Sequence, residues 1–597
     1  MTATTAADLV LVPRPRSLVV NGEGPSVDCA VVERRVDGLA PEAFELDITT
    51  DGVEIRHGDD AGLRYGRATL AQIRSQIRLE GGTHLPALAI RDRPDFAVRG
   101  YMLDISRDRV PTRETLERLI ELMELARINQ LQLYTEHTFA YRDHEKVWRD
   151  ASPMTVDDIA WLQRCCAEAG IELVPNQNCF GHMDRWLKHE PYRQWAETPD
   201  GYEPVPGMHR PPAVLAPTVA NAEFALSLFA ELLPNFSSRR VHIGCDETFE
   251  LGLGVSRQEA ERVGKQEVFA RHLERLVTPL CAEGREVLFW DDIIRKKPSV
   301  LERLPAEAVA VAWTYEGPKD PSNIPHAPAE VEEMLSDLDI ELTGSAGGFA
   351  PIIEPLAQLG RPFWVAPGTS SWNSLIGRID NAIANLTDAA VTGRAYGASG
   401  YLITDWGDGG HLQPPSISFG PLLFGGAVSW CVDANRDLAL APVLDRFVFG
   451  GAIGESLATL GGLSARTGRL AYNGSPLDAV MGRGATSFVS GDADASQLVD
   501  VVAVLDEAID ALPRIPLGCA DAALVGEELM TAARLARQGA WRLLERAGGK
   551  VPDVTARRAD LAESIALQRE CWLARSRPGG LPDSIARLER VLAGYGT

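Results

Sequence analysis

A (β/α)8 TIM barrel, preceded by a small α+β domain and followed by an α-helical C-terminal domain, is the fold class this sequence predicts. Three observations predict it. Eight apolar runs of strand length alternate with amphipathic helical patterns through the middle of the chain, the pattern of a parallel sheet with crossover helices. Before them stand short β-like runs broken by Gly, Pro and Asp, and after them long Ala/Leu/Arg/Glu-rich segments with helical spacing. At 597 residues the chain is also too long for one core.

The first unit, residues 1–95, carries β-like runs at Ser17–Val20, Ala30–Val36, Phe44–Thr49 and Gly52–Arg56, then a helical pattern over Leu63–Arg78. The barrel is expected over 96–435. Its strand candidates are Val98–Ile105, Gln130–Thr135, Ile171–Gln177, Arg240–Gly244, Glu286–Asp291, Ala308–Trp313, Pro362–Pro367 and Gly400–Thr404. Helical patterns at Arg113–Ile128, Thr155–Gly170, Asn221–Leu233 and Gln258–Glu283 fill the gaps, and prolines 321, 325 and 328 blur the register after the sixth strand. Over 436–597 strands are expected to stop, and helices to cover Ala495–Leu512, Ala520–Arg546 and Val554–Arg577. That region reads as a packing or dimerisation module, so a homodimer is one expected assembly.

Composition narrows the function. A net charge of −24 argues against nucleic-acid and anionic-membrane partners, which are held by Lys and Arg. The nine cysteines are scattered and odd in number, without Cys-x-x-Cys or zinc-like spacing, so neither a metal nor a cofactor is expected. With no signal-peptide pattern in MTATTAADLVLVPRPRSLVV and no long apolar span, a cytoplasmic location is expected.

In a parallel barrel the carboxyl ends of the strands meet at one face. Collected there are Arg107, Thr135, Glu136, Asn178, His182, Asp184, Asp246, Glu247, Trp290, Asp291, Asp292, Trp313, Tyr315, Trp372, Asp405, Trp406 and Asp408. The set is acidic and aromatic, and lacks a phosphate cradle or a serine-hydrolase elbow. Acids with tryptophans suit a sugar, whose C–H face stacks on an aromatic ring while its hydroxyls meet carboxylates and arginine. The stretch RVHIGCDETFE, 240–250, is the centre of the set. An acidic pair alone means little, since 83 acidic residues give about a dozen adjacent pairs by chance; Asp246 and Glu247 stand out because a strand runs straight into them.

RGYMLDISRDRVP (99–111), the run ending Leu-Tyr-Thr-Glu at 136, Gly181-His182 and above all HIGCDE (242–247) resemble glycoside hydrolase family 20, the exo-β-N-acetylhexosaminidases. GLRYGRATLAQI (62–73) is similar to the end of the small domain that precedes the barrel in that family. TDWGDGGH (404–411) and PGTSSWNSL (367–375) resemble the branch with a helical C-terminal domain. The resemblance implies that Asp246 and Glu247 are catalytic and that Arg107 binds ring hydroxyls. It also implies that Glu136 and His182 steady the acidic pair, that Tyr315 is the candidate for the acetamide tyrosine, and that terminal β-GlcNAc or β-GalNAc is the substrate. Trp290, Trp313, Trp372 and Trp406 are expected to wall the sugar pocket. Two departures are Cys245, where the family has glycine, and Asp408, where it has a longer glutamate. Two other readings stand beside this one: a β-glycosidase of the same fold with altered sugar specificity, and a catalytically idle carbohydrate-binding protein.

Because no metal-ligand spacing is present, hydrolytic activity is expected to persist undiminished in EDTA. Loss on chelation that zinc or calcium restores would overturn this.

Overall fold

The computed structural model describes residues 9–205, 208–319, 347–482 and 489–596. The proline-interrupted stretch around 321–328 lies outside the described residues. Strands are numbered in chain order. A five-stranded sheet opens the chain: β1 (Ser17–Ser26), β2 (Val31–Arg35), β3 (Phe44–Thr49), β4 (Gly52–His57) and β5 (His84–Asp92), in spatial order β1-β5-β3-β4-β2. The helix Asp60–Leu79 covers it, started by Asp59, whose side chain accepts from the Gly62 amide. The sequence pattern does not reveal β5. It lies inside the sheet, pairing with both β1 and β3, and is buried along most of its length.

The small domain docks beneath the barrel through buried charges. Arg99, at the start of the first barrel strand, holds Glu42 at 2.7 Å, and Arg127 holds Asp92 at 2.7 Å while lying over the Trp430 ring at 4.3 Å. The Trp430 indole N–H donates to the same Asp92. Each buried charge is paired, as burial demands.

The barrel closes from eight parallel strands: β6 (Val98–Asp104), β7 (Gln130–Thr135), β8 (Glu172–Gln177), β11 (Arg240–His242), β12 (Glu286–Trp290), β13 (Ala308–Trp313), β14 (Phe363–Ala366) and β15 (Gly400–Asp405), with β15 pairing back onto β6. A short hairpin, β9 (Tyr202–Val205) and β10 (Met208–Arg210), lies between β8 and β11. All eight expected barrel strands form. One expected helix, Gln258–Glu283, is instead two, Arg257–Val263 and Lys265–Ala282, because Gly264 adopts φ +89° and breaks the ladder. Inside the barrel Met102, Tyr134, Leu288, Val309, Val311, Trp364 and Leu402 pack together, and the same cluster continues upward into Trp290, Tyr315, Trp372 and Trp406. The core of the barrel is thus also the floor of its mouth.

The C-terminal region contains four long helices: Ala495–Ala511, Ala522–Arg546, Val554–Arg575 and Leu581–Ala593. The last lies beyond the three expected from the sequence. Strands do not stop entirely, since β16 (Leu470–Ala471) pairs with β17 (Val489–Ser490). The region packs on loops at the mouth of the barrel: the Thr112 amide donates to the Arg575 carbonyl, the Arg577 amide to that of Val110, and the Ser584 hydroxyl to that of Gly410. Among the described residues no helix is long and apolar enough to cross a membrane.

At Gly539 the long helix Ala522–Arg546 touches the Leu477 backbone so closely that a Cβ would lie 2.0 Å from its carbonyl oxygen. Gly539→Ala is therefore expected to cost about 1–3 kcal/mol through forced separation of the two segments, measured by denaturant unfolding. An unchanged midpoint would show that the contact gives way freely.

Candidate active site

β11 is only three residues long and leads straight into a sharp turn. Gly244, Cys245 and Glu247 all have positive φ, at 70°, 73° and 49°. Gly244 is required by space as well as by φ, because a Cβ there would sit 2.4 Å from the Asn178 side chain. Cys245 occupies the left-handed region at a cost of about 1–3 kcal/mol, held there by its amide donating to Asn178 Oδ1 at 3.1 Å. Gly181 lets the loop after β8 lie against this turn, since its Cβ would be 2.1 Å from the Asp246 carbonyl. Two loops are thereby locked together, one bringing His182 and the other Asp246 and Glu247.

The two acids differ in environment. The Asp246 side chain is 7% exposed and that of Glu247 38%. His182 Nε2 reaches both, at 3.3 Å from Asp246 Oδ2 and 3.4 Å from Glu247 Oε2. Asn178 Nδ2 donates to Asp246 Oδ1 at 2.7 Å. Burial works to raise the Asp246 pKa, but the charge and hydrogen bond of His182, with Arg107 behind, outweigh it and hold the carboxyl below its ordinary value. Burial likewise opposes the His182 cation, and Asp246 and Glu247 overcome it, so the imidazole pKa is well above its usual value. The charged ring then faces Arg107 Nη2 across 3.4 Å from Nδ1. That like-charge approach is offset by the carboxylates around the guanidinium.

Arg107 is the hub of those carboxylates. It lies 3.1 Å from Asp104, 3.4 Å from Glu136 and 3.9 Å from Asp408, with its guanidinium over the rings of Tyr134 and Trp406 at 4.8 and 4.9 Å. Glu136 makes no direct contact with Asp246 or Glu247, contrary to the paired role expected for it. It accepts from Tyr134, which in turn accepts from Asn178, so it reaches Asp246 through that relay on one side and through Arg107 and His182 on the other. Burial first, against the pull of Arg107 and His182, raises its pKa to about 7.

The aromatic residues meet as expected, in two layers. Trp313 and Tyr315 stack at 5.2 Å and 22°, and the Trp406 indole N–H donates to the Tyr315 hydroxyl at 2.8 Å. Trp372 stands edge-on behind Tyr315 at 5.1 Å, and Trp290 lies 5.9 Å from Trp406. Trp290 and Trp372 are buried almost completely. They back the wall and do not form its open face, a correction to the four-tryptophan wall, because the barrel core encloses them. Among the described residues no group of three His, Cys, Asp or Glu side chains is arranged to hold a metal.

Two contributors were missing from the expected site. Asn178 and Asp292 stood among the strand-end residues without a role. Asp292 Oδ2 accepts from the Glu247 amide at 2.9 Å, bracing the left-handed residue. Burial first, then the neighbouring Asp246 charge, raises the Asp292 pKa to about 8. An unfolded aspartate releases its proton near about pH 4, so the stabilisation from this retained proton is fully present below that pH and lost as pH rises through about 8. Asp292→Asn has no such proton to lose. Its thermal midpoint relative to the parent is expected to climb across that interval and level off above it, and a difference that stays flat with pH would refute the assignment.

Two models of one family match the chain: the catalytic domain of glycosyl hydrolase family 20 over residues 96–331, and domain 2 of the same family over residues 3–93. The chain is 24% identical over 314 residues to a β-hexosaminidase of Akkermansia muciniphila, covering 48% of this chain and 63% of that protein. It is 26% identical over 211 residues to hexosaminidase D of Bos taurus, covering 34% and 58%. The chain thus spans less than two thirds of these relatives. The solved structure of a Flavobacterium johnsoniae chitobiase superimposes with TM-score 0.57 at 14% identity, over 94% of this chain and 99% of that one, a likeness of fold. With the small domain and the first six strands of the barrel matched by two models of the same family, and the Asp246–Glu247 turn at the barrel mouth, the chain belongs to glycoside hydrolase family 20.

Proposed function

We propose that the protein is a retaining exo-β-N-acetylhexosaminidase that removes terminal, non-reducing β-GlcNAc or β-GalNAc by substrate-assisted catalysis. The observation that carries this is the side-by-side placement of Asp246 and Glu247, both within 3.4 Å of one imidazole nitrogen. A retaining enzyme with its own nucleophile needs carboxyl groups about 5 Å apart on opposite sides of the anomeric carbon. Two acids on one turn, sharing His182, approach from one side. The second face is then served by the substrate: its acetamide carbonyl oxygen attacks the anomeric carbon and the bond to the leaving oxygen breaks.

Glu247, the more open acid, gives its proton to that oxygen and later takes one from the incoming water. Asp246, charged and enclosed, accepts the acetamide N–H and stabilises the cationic oxazolinium. Arg107 and Asp408 meet ring hydroxyls, while Trp313, Tyr315 and Trp406 form the wall against the sugar and its acetamide. The names of the relatives support the substrate class. We also propose a cytoplasmic location, supported by nine cysteines that are all free thiols; cell fractionation tests it.

Hydrolysis of nitrophenyl β-GlcNAc and β-GalNAc, with β-Glc and β-Gal much poorer, is the expected outcome of a glycoside panel. Glu247→Gln is expected to lose about 10²–10⁴ in rate, less for good aryl leaving groups, which need little protonation. Asp246→Asn should be damaged about equally for every leaving group, and a thiazoline mimic of the cyclised intermediate should bind far more tightly than GlcNAc. A 2-deoxy-2-fluoro glycoside that traps a covalent adduct on another carboxylate would overturn substrate assistance.

A further inference from the structure

Besides its contacts with the mouth loops, the helical C-terminal region approaches the active site at a short segment, Tyr472–Ser475, between β16 and the helical turn Pro476–Ala479. The Asn473 amide donates to Glu316 Oε1 at 2.9 Å. Asn373 Nδ2 donates to the Asn473 carbonyl at 3.1 Å, and the Ser475 amide donates to the Asn373 carbonyl at 2.8 Å. Gly474 lies flush on Asn373, where a Cβ would be 3.1 Å from its carbonyl oxygen. Both partners are the immediate neighbours of aromatic rings at the site: Glu316 follows Tyr315 of the wall, and Asn373 follows Trp372 behind it. Those two rings are tightly coupled, for a Cβ at Gly368 would lie 2.3 Å from Trp372 and 2.9 Å from Tyr315.

The anchor points are built to resist movement. Glu316 is buried between Arg378, at 2.8 Å, and Lys319. Arg378 donates through its amide to Ser370, on the same loop as Trp372. On the other side, Ser475 caps the turn that begins at Pro476, and Leu477 of that turn is seated against Gly539 of the longest C-terminal helix. A continuous path of contacts therefore joins a 25-residue helix to the two rings, through backbone at Asn373 and through the Glu316 carboxylate.

We propose that Tyr472–Ser475 is a positioning clamp for the acyl-facing wall, which holds Tyr315 in place through Glu316 and, through Asn373, the Trp372 ring packed behind it, and so sets the size of the N-acyl group the enzyme accepts. This rests on the substrate-assisted reading of the site. Neither Asn373 nor Asn473 touches substrate; each acts through a neighbouring ring.

The test is N-acyl selectivity in the full-length protein. Asn373→Gly keeps the left-handed backbone that Asn373 adopts, at φ 59°, and deletes the hydrogen bond to Asn473. Asn473→Gly keeps φ 47° and loosens the segment from the other side. The ratio of kcat/KM for N-butyryl over N-acetyl nitrophenyl glucosaminide is expected to rise about tenfold in Asn373→Gly, and in the same direction in Asn473→Gly, corresponding to about 1.4 kcal/mol of lost discrimination. A residue that only supports folding would lower the thermal midpoint and leave that ratio alone. Folded variants with a parental ratio would overturn the clamp while leaving the proposed activity intact. A wild-type protein inactive on N-acetyl substrates would instead overturn the activity, and the clamp with it.

Discussion

The structure depends on the interleaving of two cations among six carboxylates at the barrel mouth. Asp104, Glu136, Asp246, Glu247, Asp292 and Asp408 converge there in a protein already at −24, and Arg107 and His182 are the positive charges set between them. Like charges this close cannot all ionise, so the environment sorts them. Asp246, nearest the histidine, keeps its charge; Asp292, buried beside that charge, keeps its proton to about pH 8.

The aromatic side of the site is continuous with the barrel core, so the rings of its wall inherit the core's rigidity. Tyr315 and Trp406 are joined by a hydrogen bond and backed by Trp372 and Trp290, leaving little freedom for the wall to adapt. The small domain, held at the opposite end through Arg99 and Arg127, contributes nothing to this wall. The C-terminal helices reach the loops at the mouth, which gives them a place in the site beyond packing.

The barrel was legible because both faces of each parallel strand are buried, so the strands read as continuous apolar runs. The turn at Asp246 and Glu247 was legible because HIGCDE joins a strand, a glycine and two acids in a short space. β5 escaped notice because its run includes Pro86 and polar residues, and its place between β1 and β3 is a long-range pairing. The break at Gly264 was hidden inside an otherwise unbroken helical pattern, since one glycine is tolerated in many helices. Trp290 and Trp372 were counted as wall because the sequence places residues at strand ends without saying how deep they lie.

By itself, then, the sequence determined the order of the three units, the strands that close the barrel, and the residues gathered at its mouth, because each of these arises from local periodicity and spacing. Only the tertiary structure decided which charges face one another. The contact of His182 with both acids, the separation of Glu136 from them, the bracing of Glu247 by Asp292, and the approach of Asn473 to Glu316 each join residues from different loops. Their energies depend on distance and burial, and neither quantity exists until the chain has closed on itself.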